Sequence, residues 1–134
     1  DYKPRDAVFY KHYTTLKGVI EKQDTSNKEF IVPDKLIELY EKKDFGQYAQ
    51  NDTIFVCFTT DNDITGGNSG SAVLDADGNL IGIAFDGNWE AMSGDIIFEK
   101  KMQKSIIVDI RYVLLVIDKF AGATRIIDEL TLVR

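Results

Sequence analysis

Short runs of β-branched and aromatic residues, separated by polar turns, dominate the hydrophobic pattern of this chain. Runs of this length and composition are typical of buried strands. The Asp77-Gly78 pair between two of the runs is a strong signal for a tight turn joining antiparallel strands. The pattern therefore predicts strands over residues 14–21, 54–59, 72–74, 80–85 and 106–108.

Two other segments have helical periodicity. After Pro33, which suits a first helical turn, apolar side chains recur at helical spacing as far as Gly46. Residues 110–120 show the same spacing and are followed by Ala121-Gly122-Ala123, a sequence that favours a helix end. We expect a single domain over residues 1–134 that is mainly β, with peripheral helices.

Charge and composition narrow the classes of partner. With 16 basic and 22 acidic side chains the net charge is −6, which argues against nucleic acid and anionic membrane surfaces. No stretch approaches the roughly 20 apolar residues of a membrane span.

Cys57 is the only cysteine and His12 the only histidine, so neither a disulfide nor a metal or other cofactor is predicted. The first residues lack an initiator Met and a signal-peptide core, which predicts an excised part of a longer protein.

The loop Gly66-Gly67-Asn68-Ser69-Gly70-Ser71 is the most informative segment. A serine between glycines can present its hydroxyl while nearby backbone amides converge, so Ser69 is the candidate nucleophile and the amides of Gly67 and Ser69 are candidate oxyanion donors. No lysine follows the glycines, which excludes a phosphate loop. Ser71 stands where the α/β-hydrolase elbow needs glycine. From the loop alone, a simple turn between two strands stays an equal alternative.

Longer segments carry a family resemblance. The loop, the apolar strand after it and the Asp-Gly turn resemble the nucleophile region of trypsin-like serine peptidases. Residues 63–71, 83–96 and 108–114 together resemble the bacterial S46 dipeptidyl peptidases, and the similarity extends over nearly the whole chain. Ala72 departs from the family, which usually has proline there; the change affects loop stiffness and removes no catalytic group.

The resemblance implies the second, serine-bearing half of a chymotrypsin-like double β-barrel. The family also has a helical capping domain, which limits cleavage to dipeptides, and a Ser-His-Asp triad whose His and Asp precede the serine. We therefore expect the N-terminal barrel and the capping domain to be absent here, and the fragment alone to be inactive. His12 is not assigned as the base. The implied partners are peptides with a free N-terminus and the missing N-terminal half of the same chain.

Two further residues are candidate substrate contacts. Asp86 resembles the family's acidic contact to the substrate amino group, although an ordinary Asp-Gly turn explains it equally well from local chemistry. Gly87 resembles the position that is glycine in the dipeptidyl-peptidase 7 type, which accepts apolar P1 side chains, and arginine in the type that accepts Asp or Glu. An uncharged pocket disfavours a buried carboxylate, so an apolar P1 preference is predicted.

The remaining conspicuous residues are expected to be structural. Trp89 is predicted to be packed, and Asp109 with Arg111 to form an ion pair at a strand-to-helix junction. Two other functions stay open: a non-catalytic β-domain that binds peptide termini, and half of a trypsin-like endopeptidase. Family resemblance implies a periplasmic or secreted location. An apolar face that is normally covered by the other barrel would favour a homodimer of the isolated chain.

Overall fold

The computed structural model describes residues 2–3, 8–93 and 103–133. Five strands form one antiparallel sheet in the order β3-β4-β7-β6-β5, and two short strands form a separate antiparallel ribbon. The ribbon consists of β1 (Tyr2–Lys3) and β2 (Val8–Phe9); the sheet consists of β3 (Tyr13–Thr15), β4 (Phe55–Thr60), β5 (Ala72–Leu74), β6 (Leu80–Gly87) and β7 (Ser105–Asp109). The prediction of a mainly β fold with peripheral helices is confirmed.

Helices pack at one end of this sheet. They are α1 (Leu16–Glu21), α2 (Asp34–Glu41), α3 (Ile110–Leu115) and α4 (Thr124–Asp128). The chain continues from α3 into a wider π-type turn, Val116–Phe120, and Gly122 follows with a φ of 70°. Short 3-10 turns occupy Lys28–Phe30, Gly46–Tyr48 and Trp89–Ser93. Within the described ranges, no helix is long and apolar enough to span a membrane.

Four of the five predicted strands are confirmed, but the strand predicted over residues 14–21 is wrong. Only Tyr13–Thr15 is extended, and Leu16 begins α1. Thr15 caps this helix, because its side chain accepts a hydrogen bond from the Gly18 amide at 3.3 Å. Leu16, Val19 and Ile20 then face the same apolar core at helical spacing. Burial of this stripe outweighs the strand preference of the β-branched residues.

The hydrophobic core lies among the helices and the start of β4, away from the Ser69 loop. Leu115 and Leu16 are almost completely inaccessible there. The buried cluster comprises Leu16, Val32, Leu36, Phe45, Tyr48, Ile54, Leu114, Leu115 and Ile127. By contrast, large side chains of the β5–β6 hairpin are exposed. The helical end therefore stabilises a sheet whose other end carries the candidate site.

The described strands form an open sheet with β3 and β5 as its edges. The double barrel inferred from the family resemblance includes a half outside this sequence, so it stays a prediction. The same holds for the domain boundaries and for the missing capping domain.

Candidate active site

The Ser69 loop connects β4 to β5 and is hydrogen-bonded to β6. The Gly70 amide donates to the Ala84 carbonyl at 2.7 Å, and the Ala84 amide donates back to the Ser71 carbonyl at 2.9 Å. Ser69 is exposed, and its hydroxyl donates to the Phe85 carbonyl at 3.3 Å. The loop therefore holds an accessible serine directly beside the Phe85-Asp86 segment.

Hydrogen bonds within the loop involve Asn68. Its side-chain oxygen accepts from the Thr65 amide at 2.8 Å, while its own amide donates to the Thr65 carbonyl at 3.2 Å. Its carbonyl accepts from the Ser71 amide at 3.0 Å. Gly67 and Gly70 have φ values of 98° and 91°, a region that favours glycine. This geometry explains the glycines on both sides of the Asn68-Ser69 pair.

The candidate oxyanion donors are available. In the part of the chain that the structure describes, neither the Gly67 amide nor the Ser69 amide has a hydrogen-bond partner, and both residues are exposed. Amides that are already bonded within a turn could not stabilise a developing negative charge. The loop therefore keeps both donors free beside the serine hydroxyl.

A β-bulge immediately precedes Asp86 in β6. The pairing of β6 with β7 shifts register between Ala84 and Asp86, so β6 has one extra residue at Phe85. Asp86 is exposed, and one of its carboxylate oxygens accepts from the Gly87 amide at 2.8 Å. The carboxylate is therefore accessible, and it follows by one residue the Phe85 carbonyl that the Ser69 hydroxyl contacts.

Gly87 is half-buried against the 3-10 turn Trp89–Ser93. A Cβ atom at Gly87 would lie 2.9 Å from the Cβ of Ala91, which is closer than normal packing permits. The turn is held in place by Asn88, whose amide donates to the Lys104 carbonyl at 2.8 Å and whose side chain accepts from the Lys104 amide at 2.9 Å. Ala91 therefore occupies the direction in which a side chain at Gly87 would project, a contact that sequence spacing did not reveal.

A cavity of about 230 Å³ lies beside the loop. Asn68 and Ser71 line it together with β5 and the buried side chains of Ala84 and Ile107. The hydroxyl of Thr60 in its wall is buried and has no hydrogen-bond partner among the described residues. The loop is thus not packed tightly against the sheet, and its shape depends on hydrogen bonds.

His12 lies far from Ser69 in the sheet. It precedes β3 and its carbonyl accepts from the Thr59 amide of β4 at 2.8 Å, whereas the Ser69 loop is bonded to β6. Three inter-strand steps of about 4.8 Å each separate β3 from β6. This separation agrees with the prediction that His12 is not the base for Ser69.

The other predicted structural residues have mixed outcomes. Asp109 and Arg111 do form an ion pair, with a guanidinium nitrogen 2.6 Å from a carboxylate oxygen. Asp109 also caps α3, because its side chain accepts a hydrogen bond from the Arg111 amide.

The prediction that Trp89 is packed is wrong for this chain, because 76% of its surface is exposed. A metal-binding cluster of three or more His, Cys, Asp or Glu is not found in the described residues.

Comparison with known proteins identifies the family. The family model for Peptidase S46 matches residues 1–132. The chain belongs to the Peptidase S46 family. It is 62% identical to a dipeptidyl-peptidase 7 of Phocaeicola vulgatus and 55% identical to an Asp/Glu-specific dipeptidyl-peptidase of Porphyromonas gingivalis. Each match covers 98% of this chain but only 18% of the relative, so the chain spans under a fifth of these proteins.

Solved structures of S46 peptidases have the same fold. The crystal structure of Porphyromonas endodontalis DPP11 in complex with the dipeptide Arg-Glu superposes with a TM-score of 0.91 at 51% identity. The match covers 96% of this chain and 18% of that structure. The described fold therefore corresponds to under a fifth of that DPP11 structure.

Proposed function

We propose that this chain is the serine-bearing part of a dipeptidyl peptidase that releases dipeptides from free peptide N-termini. The observation that supports this most directly is an exposed Ser69 hydroxyl beside two unbonded backbone amides, in a chain of the S46 family. The relatives are named dipeptidyl peptidases, but the chain covers only a fraction of their length. The activity of the whole protein is therefore our proposal.

Ser69 would act as the nucleophile in acyl transfer. Its hydroxyl must rotate away from the Phe85 carbonyl, which it contacts here, towards the base that takes its proton. Attack on the scissile carbonyl places negative charge on the carbonyl oxygen, where the amides of Gly67 and Ser69 can donate. Collapse of this intermediate expels the amine and leaves the dipeptide esterified to Ser69 until water releases it. The base would come from the rest of the longer protein.

Asp86 would bind the protonated amino group of the substrate. Its accessible carboxylate lies next to Phe85, whose carbonyl contacts the Ser69 hydroxyl. A charge-assisted hydrogen bond to an ammonium group is stronger than one to a blocked, neutral N-terminus. This contact would favour substrates with a free amine.

Gly87 supports an apolar P1 preference. It contributes no charge, and burial of a Leu- or Phe-sized side chain is worth about 1.5–3 kcal/mol, whereas a buried carboxylate needs a counter-charge. The chain is similar to relatives of both named kinds, and cleavage rates with apolar and acidic P1 side chains distinguish them. On the family resemblance, we further propose a periplasmic or secreted location, which cell fractionation would test.

The decisive experiment measures dipeptide release by the full-length protein from fluorogenic dipeptide amides. We expect faster cleavage with Leu or Phe than with Asp or Glu at P1, and loss of activity in Ser69→Ala. Ser71→Ala, in the same loop, is the matched control and should retain activity. N-acetylation of the substrate should reduce kcat/KM in wild type far more than in Asp86→Asn. Full activity in Ser69→Ala would contradict the proposal.

A non-catalytic peptide-binding domain is the second candidate. It is favoured by the position of His12 at the opposite edge of the sheet, which leaves Ser69 without a histidine partner in the described residues. Calorimetric binding of free-amine peptides by a full-length protein that cleaves none of them would support this candidate. The isolated 134-residue chain should be inactive under either function.

A further inference from the structure

The turn before Ser69 is closed by one side chain. Thr65 and Asn68 are its ends, and the backbone bond between them, from the Asn68 amide to the Thr65 carbonyl, is 3.2 Å long. The bond from the Thr65 amide to the Asn68 side-chain oxygen is shorter, at 2.8 Å. An asparagine side-chain oxygen can stabilise a turn in this way, because it accepts a hydrogen bond from a backbone amide as a carbonyl oxygen would. The carboxamide of Asn68 thus makes the shorter of the two bonds across the turn.

Packing does little to hold this turn. Cβ atoms placed on Gly66 and Gly67 would find no atom within 4 Å apart from their immediate chain neighbours, and the cavity of about 230 Å³ lies beside Asn68. Gly67 also occupies a positive φ, and a glycine without packing contacts readily leaves such a conformation. The orientation of the Gly67 amide therefore depends on the bonds that Asn68 makes.

The segment after Ser69 is held independently. The Gly70 amide and the Ser71 carbonyl are both bonded to Ala84 of β6. Ser69 lies between this anchored segment and the turn that Asn68 closes. A change at Asn68 should therefore move the Gly67 amide relative to the Ser69 hydroxyl while β6 keeps the rest of the loop in place.

We propose that Asn68 is a positioning residue for acyl transfer, whose side chain closes the Thr65–Asn68 turn and so directs the Gly67 amide to the oxyanion position beside Ser69. This inference rests on the proposed function of Ser69. Donors aimed at the oxyanion act mainly in the transition state, so loss of their alignment lowers kcat with little change in KM. Misplacement by about 1 Å costs on the order of 10²-fold in rate.

The test uses the full-length protein and a cleavable free-amine dipeptide amide. Asn68→Ala and Asn68→Leu should lower kcat by about 10- to 100-fold with KM changed less than about threefold. Asn68→Asp keeps an acceptor for the Thr65 amide and should recover most of the lost kcat. The reaction of Ser69 with a fluorophosphonate should slow in parallel, because it develops charge at the same position.

Asn27→Ala is the matched control. Asn27 is also an exposed asparagine whose side-chain oxygen accepts a backbone bond, from the Glu29 amide at 3.1 Å, but it lies in another loop. This variant should leave kcat and KM unchanged. Thermal unfolding of every variant separates loss of alignment from loss of fold.

The outcomes distinguish this inference from the proposed function. Full activity in Ser69→Ala would overturn both. If Ser69→Ala is inactive while Asn68→Ala keeps wild-type kcat, only the role of Asn68 is wrong. Equal loss of kcat in Asn68→Ala and Asn68→Asp would also overturn it, because the acceptor would then have no effect.

Discussion

Gly82 in β6 is required by close packing of the sheet. A Cβ atom there would lie 2.4 Å from the Cγ2 atom of Ile107 and 2.6 Å from the carbonyl oxygen of Val108. Both neighbours belong to β7, and Ile107 is almost completely buried. Strand composition predicted β6 correctly, but it gave no sign that this glycine is sterically fixed, since the contact comes from the neighbouring strand.

Substitution of two glycines should change stability in opposite directions. Gly82→Ala is expected to lower the free energy of unfolding by about 1–3 kcal/mol, because a methyl group overfills the β6–β7 contact. In α1, a Cβ atom at Gly18 would lie 3.8 Å from the Thr15 hydroxyl oxygen, which is an ordinary contact. Gly18→Ala should therefore raise the free energy of unfolding by about 0.5–1 kcal/mol, because alanine favours the helix more than glycine does. Urea unfolding measures both changes. If Gly82→Ala leaves the free energy of unfolding unchanged, β6 and β7 can move apart to accommodate the methyl group without loss of stability.

At the scale of elements, sequence patterns identified β4 to β7, α2 and the helix after β7, because each has a composition and a period that agree with its burial. They failed at α1, where Val19 and Ile20 suggested a strand although the stripe with Leu16 is helical. The Ser69 loop was predicted from its glycines. The closure of that loop by Asn68 was missed, although asparagine side chains often bond backbone groups a few residues away.

The turn between β5 and β6 is held by Asp75. One of its carboxylate oxygens accepts from the amides of Asp77 and Asn79, each at 2.9 Å, and the other accepts from the Asn79 side chain at 3.0 Å. These bonds, above all that from the Asn79 side chain, lower the pKa of Asp75 from its ordinary value of 3.8. Hydrogen bonding to the charged form thus stabilises the hairpin while Asp75 is ionised.

Stability from Asp75 should depend on pH. Because its pKa is lower in the folded state, the contribution is fully present above the ordinary value of 3.8 and is lost as the pH falls through the folded value. Asp75→Asn cannot titrate, so the stability difference between wild type and variant should shrink on acidification. Urea unfolding at a series of pH values between about 6 and 2 measures this difference. A constant difference over that range would contradict the assignment.

Across the whole molecule, buried apolar side chains concentrate at the helical end, and the β5–β6 hairpin exposes large ones. The helical end supplies most of the buried cluster, whereas the hairpin and the turn after it expose Leu74, Leu80, Phe85 and Trp89 at 44–76%. Sequence reasoning anticipated an uncovered apolar face from the family resemblance. It could not provide the His and Asp that the proposed mechanism requires, nor a surface to cover this face, because the chain spans under a fifth of its curated relatives.

We expect the isolated chain to self-associate through this hairpin. Leu74 and Leu80 face each other across the β5–β6 pair, with 55% and 44% of their surfaces exposed, and large exposed apolar patches promote association. In sedimentation, the weight-average mass of wild type should rise with concentration, while the double variant Leu74→Ser, Leu80→Ser should stay monomeric. Ile31→Ser is the control, since Ile31 is 51% exposed but lies outside the hairpin, and it should behave as wild type. Circular dichroism confirms that each variant is folded. A wild-type chain that stays monomeric over a wide concentration range would show that the hairpin surface alone does not drive association.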